Sequence, residues 1–348
     1  MYAARQKPCS ELRQLAVGLV GAGRWGRNYV RVLRALPDVQ LRWICDVDAE
    51  ARAWAHDHGG PGARVTHDIG DLFADTRLDA LVIATPPKSH CALSLAALRR
   101  GLSVLVEKPM ALCPREALRL EGAARASGRV LMVGHILRYH PAVVELSRLI
   151  AAGELGDVHT ISSSRTHKAL HGDEHALWAL APHDISLVRA LSGAEPLRVA
   201  ARGSDKSAAL TLDLPHGARA EIELSLVDSH RTRLLRVVGS RGSAVFDDTR
   251  DLAKLVIYDA DGRPHVPRIA RVEPLQAQCA HFVYCAMHNV APRSGAVDGL
   301  AVARVVETAA RSMALDGLAL PLETEANREL VAPLGSRTRA TLRLLDRS

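Results

Sequence analysis

Between residues 15 and 134, short apolar runs alternate with amphipathic stretches, and no other feature of the chain narrows its fold so far. "LAVGLVGAG" reads as strand then turn, and "GRNYVRVLRAL" has helical spacing; "LRWICDVD" is the next strand and "AEARAWAHDHG" the next helix. "DALVIATPP", "HCALSLAALRRG", "SVLVEKP", "REALRLEGAARASG" and "RVLMVGH" continue the series. The strands are apolar throughout rather than at every second position. Strands of that kind are buried on both faces, which calls for a parallel sheet with helices on each side.

From about residue 155 the pattern changes. "VHTISSSRTHK", "AALTLDLPHGARAEIELSL", "RLLRVVGSRGSAVFDD" and "LAKLVIYDADG" read as longer strands, with "LPHGAR" and "DADGRP" as hairpin turns. Several alternate with period two, as an antiparallel sheet with one covered face requires. Helices close the chain in "PLQAQCAHFVYCAMHN" and "AVDGLAVARVVETAARSMALDG". A chain of 348 residues exceeds what one core usually serves, so two domains are expected. The division expected is a polar arm at 1–14, an α/β domain at 15–134, and an α+β domain at 135–348 on a large, open, mostly antiparallel sheet.

Composition excludes several classes. No run approaches the roughly 20 apolar residues that span a bilayer, and "MYAARQKPCSELRQ" lacks the apolar stretch of a signal peptide. A cytoplasmic protein is expected. Six cysteines form no CxxC pair, so reduced thiols are expected rather than disulfides or zinc ligands. The net charge of +7 is scattered among acids, and aromatics make up only 3%, which argues against a nucleic-acid partner. A mildly basic surface, or a pocket for an anionic substrate, fits better.

Gly21, Gly23 and Gly26 have GxGxxG spacing after an apolar strand and at the start of a helix. That context suits a dinucleotide, whose pyrophosphate lies against the turn, with Arg24 and Trp25 beside it, at the helix N-terminus. Asp46 ends the next strand, where a carboxylate accepts hydrogen bonds from the ribose hydroxyls and repels a 2′-phosphate. NAD is therefore expected over NADP; the alternative for Asp46 is a helix N-cap. "IATPPKSH" ends a later strand, so Thr85, Pro86 and His90 are expected to point toward the dinucleotide, with Ser89 as an alternative plain cap.

Glu107 and Lys108 end the strand after that, where a nicotinamide ring would lie, and Pro109 restricts the lysine's backbone. Alcohol oxidation needs a proton removed from oxygen, and an ammonium stabilises the alkoxide as it develops. The alternative is an ion pair between Glu107 and Lys108. For a partner base, "LAPHDISLVRALSG" offers His183 in a first helical turn, with Pro182 suited to the start and Gly193 to the stop. The helix dipole and a neighbouring Lys108 would keep that ring neutral.

"GLVGAGRWGRN", Asp46, "ATPPKSH", "VEKPMAL", "GHILRYHPAVVELSRLIAAGELG", "LWALAPHDIS" and "EPLQAQCAHFVYCA" together resemble the glucose–fructose oxidoreductase / inositol dehydrogenase / rhizopine-catabolism (Gfo/Idh/MocA) family, in family order over about residues 15 to 320. The resemblance implies a Rossmann domain plus a sheet domain that mediates homodimers or homotetramers. It implies NAD(P)-dependent chemistry at a hydroxyl of a small polyol or sugar, with Lys108 and His183 at the substrate and Arg165 and Trp178 lining its pocket. It extends to members acting on nucleotide-linked or amino sugars, including some of aminoglycoside pathways.

One departure stands out. Many members carry Asp four residues before the histidine, whereas this chain has Ala179, so an orienting carboxylate is missing there. Asp184 or a water chain is the alternative proton acceptor. A competing motif, "HGDEH", sets His171, Glu174 and His175 in the HxxEH pattern of zinc peptidases, with Gly172 weakening the helix it needs. No metal is expected. A non-catalytic NAD-binding sensor is the remaining alternative.

Overall fold

The computed structural model describes residues 14–168 and 175–322. The chain divides into two units: the residues through Glu145 together with Arg268–Ala303, and Leu146–Pro267 together with the chain from Arg304.

The first unit opens with β1 (Leu15–Val20), α1 (Gly26–Ala35), β2 (Val39–Cys45), α2 (Ala49–His58), β3 (Arg64–Thr66) and α3 (Ile69–Ala74). It continues through β4 (Ala80–Ile83), α4 (His90–Arg99), β5 (Ser103–Val106), α5 (Pro114–Ser127) and β6 (Leu131–Val133). Among the described residues, these strands form one parallel sheet in the order β3-β2-β1-β4-β5-β6. Neighbouring side chains take opposite faces. Val17, Leu19, Val82 and Leu105 join a core with Tyr29, Val30 and Leu33 of α1, while Leu81, Ile83, Val104 and Val106 join the other with Leu98 and Leu120. Both faces are thus dry, as the unalternating strands require.

Register positions the site. Val20 pairs with Ile83 and Cys45, Ile83 with Val106, and Val106 with Val133. The residues that follow these strands, including Gly21, Asp46, Ala84, Glu107 and Gly134, therefore emerge along one carboxyl edge of the sheet.

The intervening chain contains α6 (Pro141–Ala151), β7 (Val158–Thr166), α7 (Ala176–Ala179), α8 (Ala181–Ser192), β8 (Arg198–Gly203), β9 (Ser207–Asp213) and β10 (Arg219–Ser225). Then come β11 (Thr232–Gly239), β12 (Ser243–Asp247), β13 (Leu255–Tyr258), β14 (Pro264–His265), α9 (Pro274–His288), α10 (Ala296–Ala314) and β15 (Leu320–Pro321). Among the described residues, nine strands of the second unit order as β14-β13-β12-β11-β7-β10-β9-β8-β15. All pairs are antiparallel except β7 with β10. Burial alternates along β10, with Ala220, Ile222 and Leu224 inside and Arg219, Glu221 and Glu223 out. Helix α8 buries Ile185, Leu187, Val188 and Leu191 and stops at Gly193, whose φ of 64° is the left-handed C-cap that favours glycine.

The boundaries differ from the expected 15–134 and 135–348: the first unit runs on through Glu145 and takes back Arg268–Ala303. Helix α9 falls within the expected second domain, but its buried Leu275, Cys279, Phe282 and Val283 belong to the core of the first unit beside Tyr29 and Val30. The physical reason is area: α1 exposes an apolar flank that only another helix covers, and each large side chain so buried stabilises by about 1.5–3 kcal/mol. No helix among the described residues is long and apolar enough to cross a membrane.

Candidate active site

In the first unit the site is built on backbone geometry. Gly21 has φ +95°, and a Cβ there would come within 2.7 Å of the Ala84 backbone. A Cβ on Gly26 would lie 1.9 Å from the Gly21 carbonyl oxygen, so α1 starts this close to the turn only with glycine. Gly23 differs: a Cβ there would meet nothing within 4 Å. The turn is closed toward the protein and open toward solvent, which is the shape a pyrophosphate needs against a helix N-terminus. Arg24 and Trp25 are exposed on the same turn.

Asp46 is tied to that turn. Its Oδ2 accepts the Ala22 N–H at 2.6 Å and its Oδ1 accepts the Asp48 N–H at 2.9 Å. The N-cap alternative falls, because Asp48 caps α2 by accepting the Ala51 N–H at 2.7 Å. Asp46 thus stands free of the helix end, half-buried beside the glycine turn.

Glu107 is anchored within the protein at the same edge. It is 8% exposed, and its Oε1 accepts from Trp25 Nε1 at 2.6 Å and Tyr29 Oη at 2.7 Å. Its Oε2 accepts the Lys108 backbone N–H at 3.0 Å. Tyr29 Oη in turn accepts from Gln278 Nε2 at 2.9 Å. Burial, with Glu107 beside it, raises the Tyr29 pKa well above the ordinary phenol value, so the hydroxyl stays a donor. A Cβ at Gly134 would sit 3.1 Å from the Glu107 carboxylate, so that neighbour is small for the same reason. Lys108 follows half-buried, and the Lys108–Pro109 peptide is cis.

Thr85 and Ser89 join their hydroxyls at 2.7 Å, and Ser89 Oγ donates to the Pro86 carbonyl at 2.8 Å. The Ser89 side chain makes no cap bond to α4. His90 is a correction. It is fully buried, with Nδ1 2.8 Å from the Pro109 carbonyl oxygen and Nε2 2.8 Å from that of Thr85. Its ring is spent on the protein and does not reach toward a dinucleotide; Thr85 and Pro86 remain at the edge.

In the second unit the site is built on buried charge. Asp184, fully buried, accepts from Ser163 Oγ at 2.6 Å, from Arg165 Nε at 2.7 Å and from Arg165 Nη2 at 2.9 Å. Burial works against the Arg165 charge, yet the Asp184 carboxylate beside it raises its pKa overall. One expectation changes: Asp184 has both oxygens engaged and is no substitute base, while Arg165 sets Nε and Nη2 on it. His183, the neighbour of Asp184, is half-buried in the first turn of α8, its N–H donating to the Leu180 carbonyl at 3.1 Å. Trp178 and Ala179 are half-buried on α7.

Of the zinc pattern, only His175 lies among the described residues. Its Nδ1 accepts the Leu177 N–H at 3.3 Å as the cap of α7, and its Nε2 lies 3.2 Å from Asp205. His171 and Glu174 lie outside the described residues. Among those described, no group of three or more His, Cys, Asp or Glu is placed to hold a metal ion.

Sequence reasoning missed Tyr29 and Gln278, which no short-range pattern links, and Arg233, which stands opposite Arg165 in the β7–β11 ladder and bonds Asp248 at 3.1 Å.

A parallel sheet with its glycine turn at the carboxyl edge is the arrangement of a dinucleotide-binding domain, and the family models make the chain an oxidoreductase. Residues 15–135 match the model of the oxidoreductase family with an NAD-binding Rossmann fold, and residues 143–245 match the C-terminal domain model of the same family. The chain belongs to the GFO/IDH/MocA family. It is 31% identical over 322 residues to inositol 2-dehydrogenase 1 of Saccharopolyspora erythraea, covering 85% of this chain and 93% of that one. It is 29% identical over 310 residues to UDP-N-acetylglucosamine 3-dehydrogenase of Acidithiobacillus ferrooxidans, covering 85% and 95%. Among solved structures, aldose–aldose oxidoreductase of Caulobacter crescentus, complexed with glycerol, shares the fold with a TM-score of 0.80 at 22% identity, over 89% of this chain and 100% of that one.

Proposed function

We propose that the protein interconverts a secondary alcohol and a ketone on a cyclitol or sugar, with NAD preferred over NADP. When bound, the nicotinamide supplies the redox partner for the carbinol carbon. The chain's own residues do the rest. The Lys108 ammonium stabilises negative charge developing on the carbinol oxygen, which requires no metal. His183 exchanges the proton at that oxygen: the partial positive end of α8 disfavours imidazolium there and keeps the ring able to accept. Trp178, five residues before His183, supplies an apolar wall for the substrate.

The observation that carries this reading is the anchoring of Lys108. Its backbone N–H is held by the Glu107 carboxylate, which is itself held by Trp25 of the glycine turn and Tyr29 of α1. An ion pair at a strand end would need no such network. Support for NAD is the position of the Asp46 carboxylate, bonded to the glycine turn and not spent on the α2 cap. The relatives' names favour inositol or a nucleotide-linked amino sugar as the substrate type. A role in antibiotic assembly, a homodimer or homotetramer formed through the outer face of the wide sheet, and a cytoplasmic location complete the proposal.

The test is absorbance at the nicotinamide band across myo-inositol, scyllo-inositol, aminocyclitols and nucleotide-linked sugars. With whichever polyol is turned over, Lys108→Ala should lower kcat by at least about 100-fold, a loss typical of removing one charge-stabilising donor, while NADH affinity changes far less. Near-normal turnover by that variant overturns the assignment.

A further inference from the structure

Lys108 is held on one flank by Glu107; its other flank is Pro109, which has no N–H to anchor and offers only its carbonyl. That carbonyl oxygen lies 2.8 Å from His90 Nδ1. The opposite ring nitrogen, Nε2, lies 2.8 Å from the carbonyl oxygen of Thr85, in the loop that leaves β4 for the same sheet edge. His90 is fully buried, so no water competes for either contact. We propose that His90 is a positioning residue for Lys108: a strut between the Thr85 loop and the Lys108–Pro109 turn that sets the lysine at the reacting oxygen. The inference rests on the reading of Lys108 given above.

The chemistry suits a strut. A carbonyl oxygen accepts and never donates, so the ring must supply each proton; a neutral imidazole has one N–H and an imidazolium two. A ring that bridges two carbonyls is also rigid, with only two torsions between the backbone and its nitrogens. The two loops it joins do not share a backbone hydrogen-bond ladder beyond Ile83 and Val106, where the strand pairing ends. Past that point side chains carry the alignment: Glu107 from the glycine-turn side, His90 from the α4 side. Loss of either lets the turn shift, and a displacement of about 1 Å at a reacting group is enough to cost about 100-fold in rate.

The test uses the full chain carrying His90→Ala or His90→Gln, alone and combined with Lys108→Ala, with kcat, NADH affinity and melting temperature measured for each. His90→Ala should lower kcat between about tenfold and about 100-fold with NADH affinity within about threefold. His90→Gln, whose single amide nitrogen can serve one carbonyl, should recover part of the loss. In the Lys108→Ala background the His90 substitution should have no further effect on the residual rate, because it acts through the lysine. A His90→Ala kcat within twofold of the parent, or losses that multiply fully with those of Lys108→Ala, overturns the inference. If His90→Ala does not fold, His90→Leu, which keeps bulk but has no ring nitrogen, carries the same criteria. Turnover retained by Lys108→Ala removes the underlying reading as well, whereas a dead Lys108→Ala beside an active His90→Ala removes only the strut.

Discussion

The carboxyl edge of the first sheet and the β7–α8 face of the second both hold acidic residues, but they use them in opposite ways. At the first edge, Asp46 and Glu107 accept backbone N–H groups from Ala22 and Lys108. Their carboxylates shape loops, and the shape is then fixed by glycines that tolerate no Cβ. On the second face, Asp184 accepts a guanidinium and a hydroxyl, and no backbone is involved. The first region is organised by main-chain geometry, the second by compensated charge. The two should therefore fail differently when cut.

The largest effect should come from cutting the charge-held region. Asp184→Ala takes from buried Arg165 the carboxylate it hydrogen-bonds, leaving only Asp248 acting on its charge, and should cost about 3–5 kcal/mol in urea unfolding. Replacing both partners with apolar residues of similar volume, Arg165→Met with Asp184→Leu, should restore most of that stability. A loss below about 1 kcal/mol for Asp184→Ala, the range of an exposed pair, would erase the contrast. Next in size is Asp46→Ser, which weakens the hold on the Ala22 N–H and should cost about 1–2 kcal/mol in unfolding, while raising NADPH binding relative to NADH by about tenfold, or about 1.4 kcal/mol, measured by nicotinamide fluorescence. Tighter binding of NADPH than NADH by the parent protein would refute the Asp46 argument outright.

The smallest effect sharpens the comparison inside the first unit, where one carboxylate is charge-held. Burial opposes ionisation of Asp75, but hydrogen bonds from Trp43 Nε1 at 3.0 Å and from Arg42 and Arg77 hold its pKa well below the usual carboxylate range. A depressed folded pKa contributes stability that is fully present above the unfolded value of about 3.9 and drains away as pH falls toward the folded one. The stability gap between the parent and Asp75→Asn should therefore narrow from about pH 5 to about pH 3. A gap that stays constant over that range would show that Asp75 acts by shape alone.

The same contrast explains what could be read from the sequence. Gly21, Gly26 and Asp46 are legible because their constraints are local: a turn between a strand and a helix admits few residue types. The hairpins at "LPHGAR" and "DADGRP", the start at Pro182 and the stop at Gly193 are legible for the same reason. The Asp184–Arg165–Ser163 cluster was not, because it joins β7 to α8 across 19 to 21 residues with no periodic signal. Gln278 meets Tyr29 across 249 residues. His90 sits inside a readable motif, "ATPPKSH", yet whether its ring turns out to a ligand or in to two carbonyls depends on the neighbouring turn at Pro109. Helix α9 has an apolar face that either domain would accept, and pattern alone does not say which.

The placement of α9 has a consequence for synthesis. Leu275, Cys279 and Phe282 complete the core around Tyr29, so the nucleotide-binding half lacks part of its interior until β7 through β14 of the second sheet have left the ribosome. A fragment ending near residue 145 would expose that flank and be expected to aggregate rather than bind nucleotide. Excising the middle segment and joining the ends across a short linker is the better route to an isolated nucleotide-binding module.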